Sequence, residues 1–297
     1  MTGWFWRRSD EIVVRSATPT DRPLLAALLA GTWRRHGVLA VEEQVALLNS
    51  GASLIALRGE EAVGFVGLAP RAQTSGPAEL WVDMPLIAVS ADLSATRVLQ
   101  PLLAQIAPLW RGQAITGVVC LTAQDWLIRE LEAGGFREED RVLGYVRPGH
   151  RPLPEPPRVC RLRPAAIAQG ETILALNAAA FEPLWRYDER VVLSWLLLAD
   201  HAVVAEMAGR PVGFALTTLR VADDHAQLIR VATHPASQGL GIGRQLVMDA
   251  VRYATEQGMA GLWLNTQSSN TTARHLYETL GFRPTGDAVS VMIKRYS

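Results

Sequence analysis

The chain has 297 residues, in which 29 Lys plus Arg balance 29 Asp plus Glu for a formal net charge of zero. That balance offers no broad basic surface, so neither a nucleic-acid nor an anionic-membrane partner is expected, and no run reaches the ~20 apolar residues of a membrane span. Cys120 and Cys160 sit in apolar strand-like runs and cannot build a disulfide framework; the charges of Met1-Thr2-Gly3-Trp4-Phe5-Trp6-Arg7-Arg8 follow a very short apolar run, the reverse of a signal peptide, and a cytoplasmic monomer or homodimer is expected.

Taken in chain order, Glu11-Ile12-Val13-Val14-Arg15 alternates as a strand does. Helical segments follow, then a hairpin whose second strand carries Val63-Gly64-Phe65. The run Val89-Ser90-Ala91-Asp92-Leu93-Ser94-Ala95-Thr96-Arg97 leads into a helix, with Asp92 placed to cap it. Gly135-Phe136 closes this half. Residues 148–157, Pro148-Gly149-His150-Arg151-Pro152-Leu153-Pro154-Glu155-Pro156-Pro157, can be neither helix nor central strand and read as a stiff linker.

Beyond the linker the same order returns. A strand is expected over 158–164, helices over about 165–180 and 187–199, and strands over 201–207, 211–221 and 225–233. A helix over 241–257, a strand over 260–265, a helix over 269–280 and two final strands complete the chain. Val212-Gly213-Phe214 repeats the earlier hairpin motif and Gly281-Phe282 the earlier ending. Gly64 to Gly135 spans 71 positions and Gly213 to Gly281 spans 68, so the internal spacing is nearly preserved. Two copies of one fold explain this, with domains expected at 1–147 and 158–297. The fold class is α/β, each copy a mixed central sheet with helices on both faces. In the 241–257 helix, Ile242, Leu246, Val247, Ala250, Val251 and Ala254 should cover the sheet, while Arg244, Gln245 and Asp249 face elsewhere.

The chemistry concentrates in the second copy. An apolar strand, Leu228-Ile229-Arg230-Val231-Ala232, runs through a short turn into Gln238-Gly239-Leu240-Gly241-Ile242-Gly243 at the start of a helix. Glycines let the backbone approach an anion closely and aim consecutive N–H groups at it. The helix adds its positive end and its unpartnered first amides. The stretch reads as a diphosphate cradle. About 30 residues on, Gly261-Leu262-Trp263-Leu264-Asn265 leads to Asn270 and Tyr277, seven apart and so on one helix face.

Here the chain resembles the GCN5-related N-acetyltransferase (GNAT) superfamily. Its acetyl-CoA motif is matched by Gln238, Gly241 and Gly243, and its downstream Asn, Tyr and closing Gly-Phe by Asn270, Tyr277, Gly281 and Phe282. The resemblance implies two tandem GNAT-like acyl-CoA acyltransferase folds, acetyl-CoA as co-substrate and no metal. It also implies a bulge that splays two parallel strands, so that the pantetheine arm pairs with the backbone of Val231, Ala232 and Thr233, one of whose N–H groups polarises the thioester carbonyl. Gln238, Gly239, Leu240, Gly241, Ile242, Gly243 and Arg244 would take the diphosphate and Asn270 the pantetheine. The first copy looks degenerate: its cradle has no glycine, and Leu131 and Gln124 stand where Tyr277 and Asn270 are expected. It is not expected to bind acetyl-CoA.

Acetyl transfer to an amine needs a neutral nucleophile, a stabilised oxyanion and an acid for the departing thiolate. Tyr277, protonated at neutral pH, is the expected acid. In the family's ribosomal-protein N-terminal acetyltransferases a glutamate lies five residues before the Asn, where this chain has Asn265. Glu182 and Asp188 are the remaining candidate bases, near an aromatic cluster of Trp185, Tyr187 and Trp195, and His234 reads as a turn residue. The expected function is N-acetylation of a primary amine on a small molecule or amino terminus; the alternative is a non-catalytic acyl-CoA-binding or sensing protein.

Overall fold

The computed structural model describes residues 11–37, 39–71, 79–110, 115–149 and 151–296. The octet Met1–Arg8 and His150 lie outside the described residues. In chain order the first elements are β1 (Ile12–Ser16), α1 (Arg22–Gly31), β2 (Arg35–His36), α2 (Val41–Asn49), β3 (Leu54–Arg58), β4 (Glu61–Pro70) and β5 (Leu80–Val89). Then come α3 (Ala95–Ala104), α4 (Ile106–Leu109), β6 (Ile115–Thr122), α5 (Asp125–Ala133) and β7 (Arg137–Pro148). The rest are β8 (Arg161–Pro164), α6 (Gly170–Ala180), α7 (Glu189–Leu198), β9 (His201–Met207), β10 (Arg210–Arg220), β11 (His225–Thr233), α8 (Ile242–Glu256), β12 (Gly261–Gln267), α9 (Thr271–Thr279) and β13 (Arg283–Arg295).

Two compact units result, and they do not divide at the Pro-rich stretch. Of the described residues, those before 72, those from 79 to 140 and those from 289 to 296 form unit 1, and those from 141 to 288 form unit 2. The expected 1–147 and 158–297 boundaries therefore differ from the packed units at both ends. In unit 1, β6 is completed by the end of the chain, Ser290 opposite Thr122 through Arg295 opposite Gly117. In unit 2, β12 is completed by residues 142–148, Gln267 opposite Val142 through Gly261 opposite Pro148. The two final strands expected after Phe282 are one continuous strand, β13, with Gly286 at φ +90°.

Each unit is a mixed sheet with helices on both faces. Unit 1 runs β1-β3-β4-β5-β6 and then the end of β13; unit 2 runs β7-β12-β11-β10-β9-β8. In unit 1, α3 and α5 bury Val98, Leu102, Leu127 and Leu131 on one face, and α1 and α2 bury Leu25, Leu28, Leu47 and Leu48 on the other. In unit 2, α8 and α9 bury Leu246, Val247, Val251 and Tyr277 on one face, and α6 and α7 bury Ile173, Leu176, Val192 and Leu196 on the other. The repeated Gly-Phe closes equivalent helices: Phe136 N–H donates to Leu131 O at 2.9 Å and Phe282 N–H to Tyr277 O at 3.0 Å, with both rings buried. Among the described residues no helix is long and apolar enough to cross a membrane.

Two local readings change. Gln245, expected away from the sheet, is buried; its Oε1 accepts from Val159 N–H at 3.0 Å and Cys160 N–H at 3.2 Å, and its Nε2 donates to Cys160 O at 2.9 Å. An amide side chain is tolerated there because these backbone groups satisfy its own oxygen and nitrogen. Asp92 does not cap α3. It pairs with Arg58 at 2.8 Å and accepts from the Ser90 hydroxyl, and the cap is Ser94, whose Oγ accepts from Arg97 N–H at 3.2 Å.

Candidate active site

The site of unit 2 begins with a fault in a strand. β10 and β11 pair as Leu216 opposite Arg230 and then Thr217 opposite Leu228, which leaves Ile229 as an extra residue. Such a bulge bends its strand and reverses the side-chain alternation beyond it. Ala226 and Leu228 accordingly join the α8 side of the core, whereas Ala232 joins the α6 side. β11 runs parallel to β12 only from His225 opposite Gly261 to Gln227 opposite Trp263. Beyond Gln227, its β12-facing edge carries no strand among the described residues.

Strand alternation fixes which groups face that edge. His234 N–H donates to Val212 O at 2.8 Å, so at 234 the backbone points toward β10. Stepping back along β11, Thr233 and Val231 turn their N–H and C=O groups to the free edge, and Ala232 turns its own to β10. Of the three residues expected to meet the pantetheine arm, Val231 and Thr233 have backbone groups that face this edge, and Ala232 does not.

The strand delivers the chain to the glycine turn. Gly239 and Gly241 lie at φ +77° and +85°, a region that disfavours side chains with a Cβ, and a Cβ at Gly239 would meet nothing within 4 Å. The surface over Gly239 is therefore open, while the Val159 side chain lies 3.8 Å from where a Cβ of Gly241 would stand. Gly241 is the N-cap of α8, without a side chain to cap it, and the first turn holds no acidic residue. The amides of Ile242, Gly243 and Arg244 precede the first intrahelical bond, Gln245 N–H to Gly241 O at 3.0 Å. This arrangement suits an anion such as a diphosphate. Leu240 is exposed at the lip. Arg244 Nη1 donates to Thr279 Oγ1 at 3.2 Å, and Gln238 Nε2 turns back to Thr233 O at 3.3 Å.

On α9, Asn270 is the N-cap and its Oδ1 accepts from Ala273 N–H at 3.1 Å. Cap and ligand roles are compatible, because the amide NH₂ is the group a pantetheine carbonyl would use. Tyr277 is 5% exposed, its ring 6.3 Å from that of Tyr145 and 5.8 Å from that of Phe282. Burial pushes its phenol up to about 12.

Over the other face lies the loop between α6 and α7. Glu182 is exposed, and Asp188 is the N-cap of α7, its Oδ1 accepting from Arg190 N–H at 2.8 Å. Tyr187 meets Trp195 edge-on at 4.8 Å. His234 closes its turn, Nδ1 accepting from Ala236 N–H at 3.2 Å. Asn265 is exposed on β12. Sequence reasoning missed Arg230. It is 9% exposed, donates from Nε and Nη2 to Asn177 Oδ1 at 3.0 and 2.9 Å, and donates from Nη2 to Trp185 O at 2.8 Å. The available signal was an arginine inside the apolar run 228–232. Among the described residues no group of three His, Cys, Asp or Glu is arranged to hold a metal ion.

Residues 171–282 match the Acetyltransferase (GNAT) family. The match covers the stretch from α6 to the end of α9 and its closing Gly281-Phe282. The chain is 28% identical over 315 aligned residues to the mycothiol acetyltransferase of Thermobispora bispora, across 94% of this chain and 97% of that one. A GCN5-related N-acetyltransferase from Kribbella flavida superposes with a TM-score of 0.70 at 16% identity, covering 97% of this chain and 71% of that one. A tandem GNAT protein from the clavulanic acid biosynthesis pathway gives 0.61 at 15% identity, covering 96% and 98%. The chain is thus an acyltransferase of tandem architecture, and acetyl-CoA is the co-substrate of the GNAT acetyltransferases that its second half resembles.

Proposed function

We propose that unit 2 transfers the acetyl group of acetyl-CoA directly to a primary amine on a small molecule or an amino terminus. The observation that carries this reading is the continuity from a bulged strand with a free edge at Val231 and Thr233 to an uncapped helix start behind two left-handed glycines. The edge takes the amides of the pantetheine arm, and the amides of Ile242, Gly243 and Arg244 take the diphosphate. An N–H of Val231 or Thr233 polarises the thioester carbonyl; one oriented donor of this kind is worth roughly 10²–10³ in rate.

The amine attacks the carbonyl carbon and gives its proton to a base, the oxyanion forms and collapses, and the carbon–sulfur bond breaks to release coenzyme A as a thiolate that then takes a proton from solvent. Tyr277, the candidate acid, is the hydrogen-bond donor to the leaving sulfur. Its phenol, near 12, lies well above a cysteine-like thiol near 8.5, so it acts by hydrogen bonding to sulfur as negative charge develops. Glu182 is the candidate base for the amine, being exposed and not engaged as a helix cap, whereas Asp188 is held by its capping role.

The full-length relatives carry the name mycothiol acetyltransferase, which makes mycothiol-related amines the first acceptors to screen. Calorimetric titration of acetyl-CoA into the full chain, followed by amine-dependent thiol release, tests the reading. One site per chain with turnover supports it, binding without turnover leaves a sensor, and no binding removes the cradle.

A further inference from the structure

Unit 1 repeats the split sheet of unit 2 position by position. β4 meets β5 as Gly64 opposite Val89, Phe65 opposite Ala88 and Val66 opposite Ile87; β10 meets β11 as Gly213 opposite Thr233, Phe214 opposite Ala232 and Ala215 opposite Val231. Both pairings then slip by one residue, between Gly67 and Ala69 in one and Leu216 and Thr217 in the other. β5 follows β6 in parallel only as far as Asp83 opposite Val119. Ile87, Ala88 and Val89 therefore correspond to Val231, Ala232 and Thr233.

The edge that is free in unit 2 is filled in unit 1. β2 pairs with it antiparallel, Arg35 opposite Ala88 and His36 opposite Ile87, and Val89 N–H donates to Arg34 O at 3.0 Å. Because β4 already takes one edge of β5, β2 lies on the other, where β6 departs. The hydroxyl of Thr32 donates to Val89 O at 2.5 Å. Gln124, which stands where unit 2 has Asn270, donates its Nε2 to Arg35 O at 3.0 Å. Arg34 Nη1 reaches Leu93 O at 2.6 Å in the turn before α3. Gly37, at φ +83°, lets the segment pass this close, since a Cβ there would stand 2.0 Å from Pro85 O.

We propose that residues 32–37 are an internal surrogate for a pantetheine arm, holding unit 1 shut to acyl-CoA by occupying the strand edge that unit 2 keeps open. The proposal rests on the reading of the β11 edge given under Proposed function. Two amide-bearing chains, one covalently part of the fold and one a ligand, would make the same backbone pairings. The internal one is present at an effective concentration of roughly millimolar or more. At α3 the first-turn amide of Arg97 is already taken by Ser94, so a diphosphate gains less there than at α8.

Residue-resolved amide hydrogen exchange of the full chain, with and without saturating acetyl-CoA, tests this. Ile87 and Val89 are expected to exchange slowly without ligand and to be unchanged by it, whereas Val231 and Thr233 exchange fast alone and at least about tenfold more slowly with it. Gly37→Val should speed exchange at Ile87 and Val89 by about tenfold or more while α3 stays protected. Gln124→Leu, a milder change, should do so by a few-fold. Acetyl-CoA-dependent protection at Val89, or fast exchange there in the free wild type, overturns the proposal. Protection at Val89 with no response at Val231 and Thr233 instead overturns the reading of unit 2 on which the equivalence stands.

Discussion

The guanidinium carbon of Arg230 lies 3.4 Å from the centre of the Phe181 ring. The same cation is 5.0 Å from the Tyr187 ring and bonded to Trp185 O at 2.8 Å, so it holds both ends of the α6–α7 loop against β11, one residue past the bulge. Desolvation lowers its pKa to about 10. The fold thus keeps a charge there at a cost while both folded and unfolded states are protonated, below about 10, which points to a positioning role rather than a stabilising one.

Arg230→Met should therefore change stability little, the lost bonds of about 1–3 kcal/mol offsetting the recovered desolvation. The loop should loosen. The expected result is a roughly tenfold rise in acceptor KM, at about 1.4 kcal/mol per factor of ten, with acetyl-CoA affinity within about twofold. Steady-state kinetics in both substrates and hydrogen exchange across 181–188 check it; an unchanged acceptor KM would show that the loop needs no clamp.

Tyr277→Phe should lower kcat by about 100-fold if the hydroxyl assists thiolate departure, with acetyl-CoA affinity nearly unchanged. A second signature lies in stability. The phenol's folded pKa is raised to about 12, so the stability linked to it is fully present below the unfolded value near 10 and is lost as pH rises through 12. That loss, about 2–3 kcal/mol for a two-unit shift, should be missing from the variant in denaturant titrations between pH 9 and 12.

Gly241→Ala should strain the αL cap of α8 by about 1 kcal/mol and weaken acetyl-CoA binding by about tenfold. Gly241→Glu adds bulk and negative charge at the anion-binding end of the helix and should abolish binding. Calorimetry beside a melting curve separates the two effects. Full-affinity binding by the glutamate variant would place the diphosphate elsewhere.

The sequence invites cutting the chain at the Pro-rich stretch, and the units argue against it. Residues 158–297 alone lose the 142–148 partner of β12, and residues 1–150 alone lose the 290–295 partner of β6. Each piece then exposes a long sheet edge. Neither should give the cooperative unfolding transition of the full chain, and both should aggregate. Two stable monomeric halves seen by circular dichroism and sedimentation would refute this.

Much was legible from the chain itself, because it depends on local chemistry. Glycines at 239, 241 and 243 behind an apolar strand specify the turn, and Gly64 to Gly135 against Gly213 to Gly281 specifies the repeat. The side chains that cap helices were less legible, since Asp92 and Ser94 compete for one role and only the fold brings Arg58 beside Asp92. Arg230 stood out as an arginine in an apolar run, but its role was not legible, because its partners Asn177 and Trp185 lie far from it in sequence.

Ala88 and Ala232 show where the division falls. Both stand opposite a buried phenylalanine, Phe65 and Phe214, on one strand edge. The repeated Val-Gly-Phe that carries those two phenylalanines was determined by the sequence by itself, since spacing is a property of neighbours along the chain. Whether the other edge is open or covered, and which distant strand completes each sheet, was decided by pairing between residues such as Arg35 and Ala88 or Ser290 and Thr122. Backbone hydrogen bonds carry no side-chain code, so only the tertiary structure could assign them.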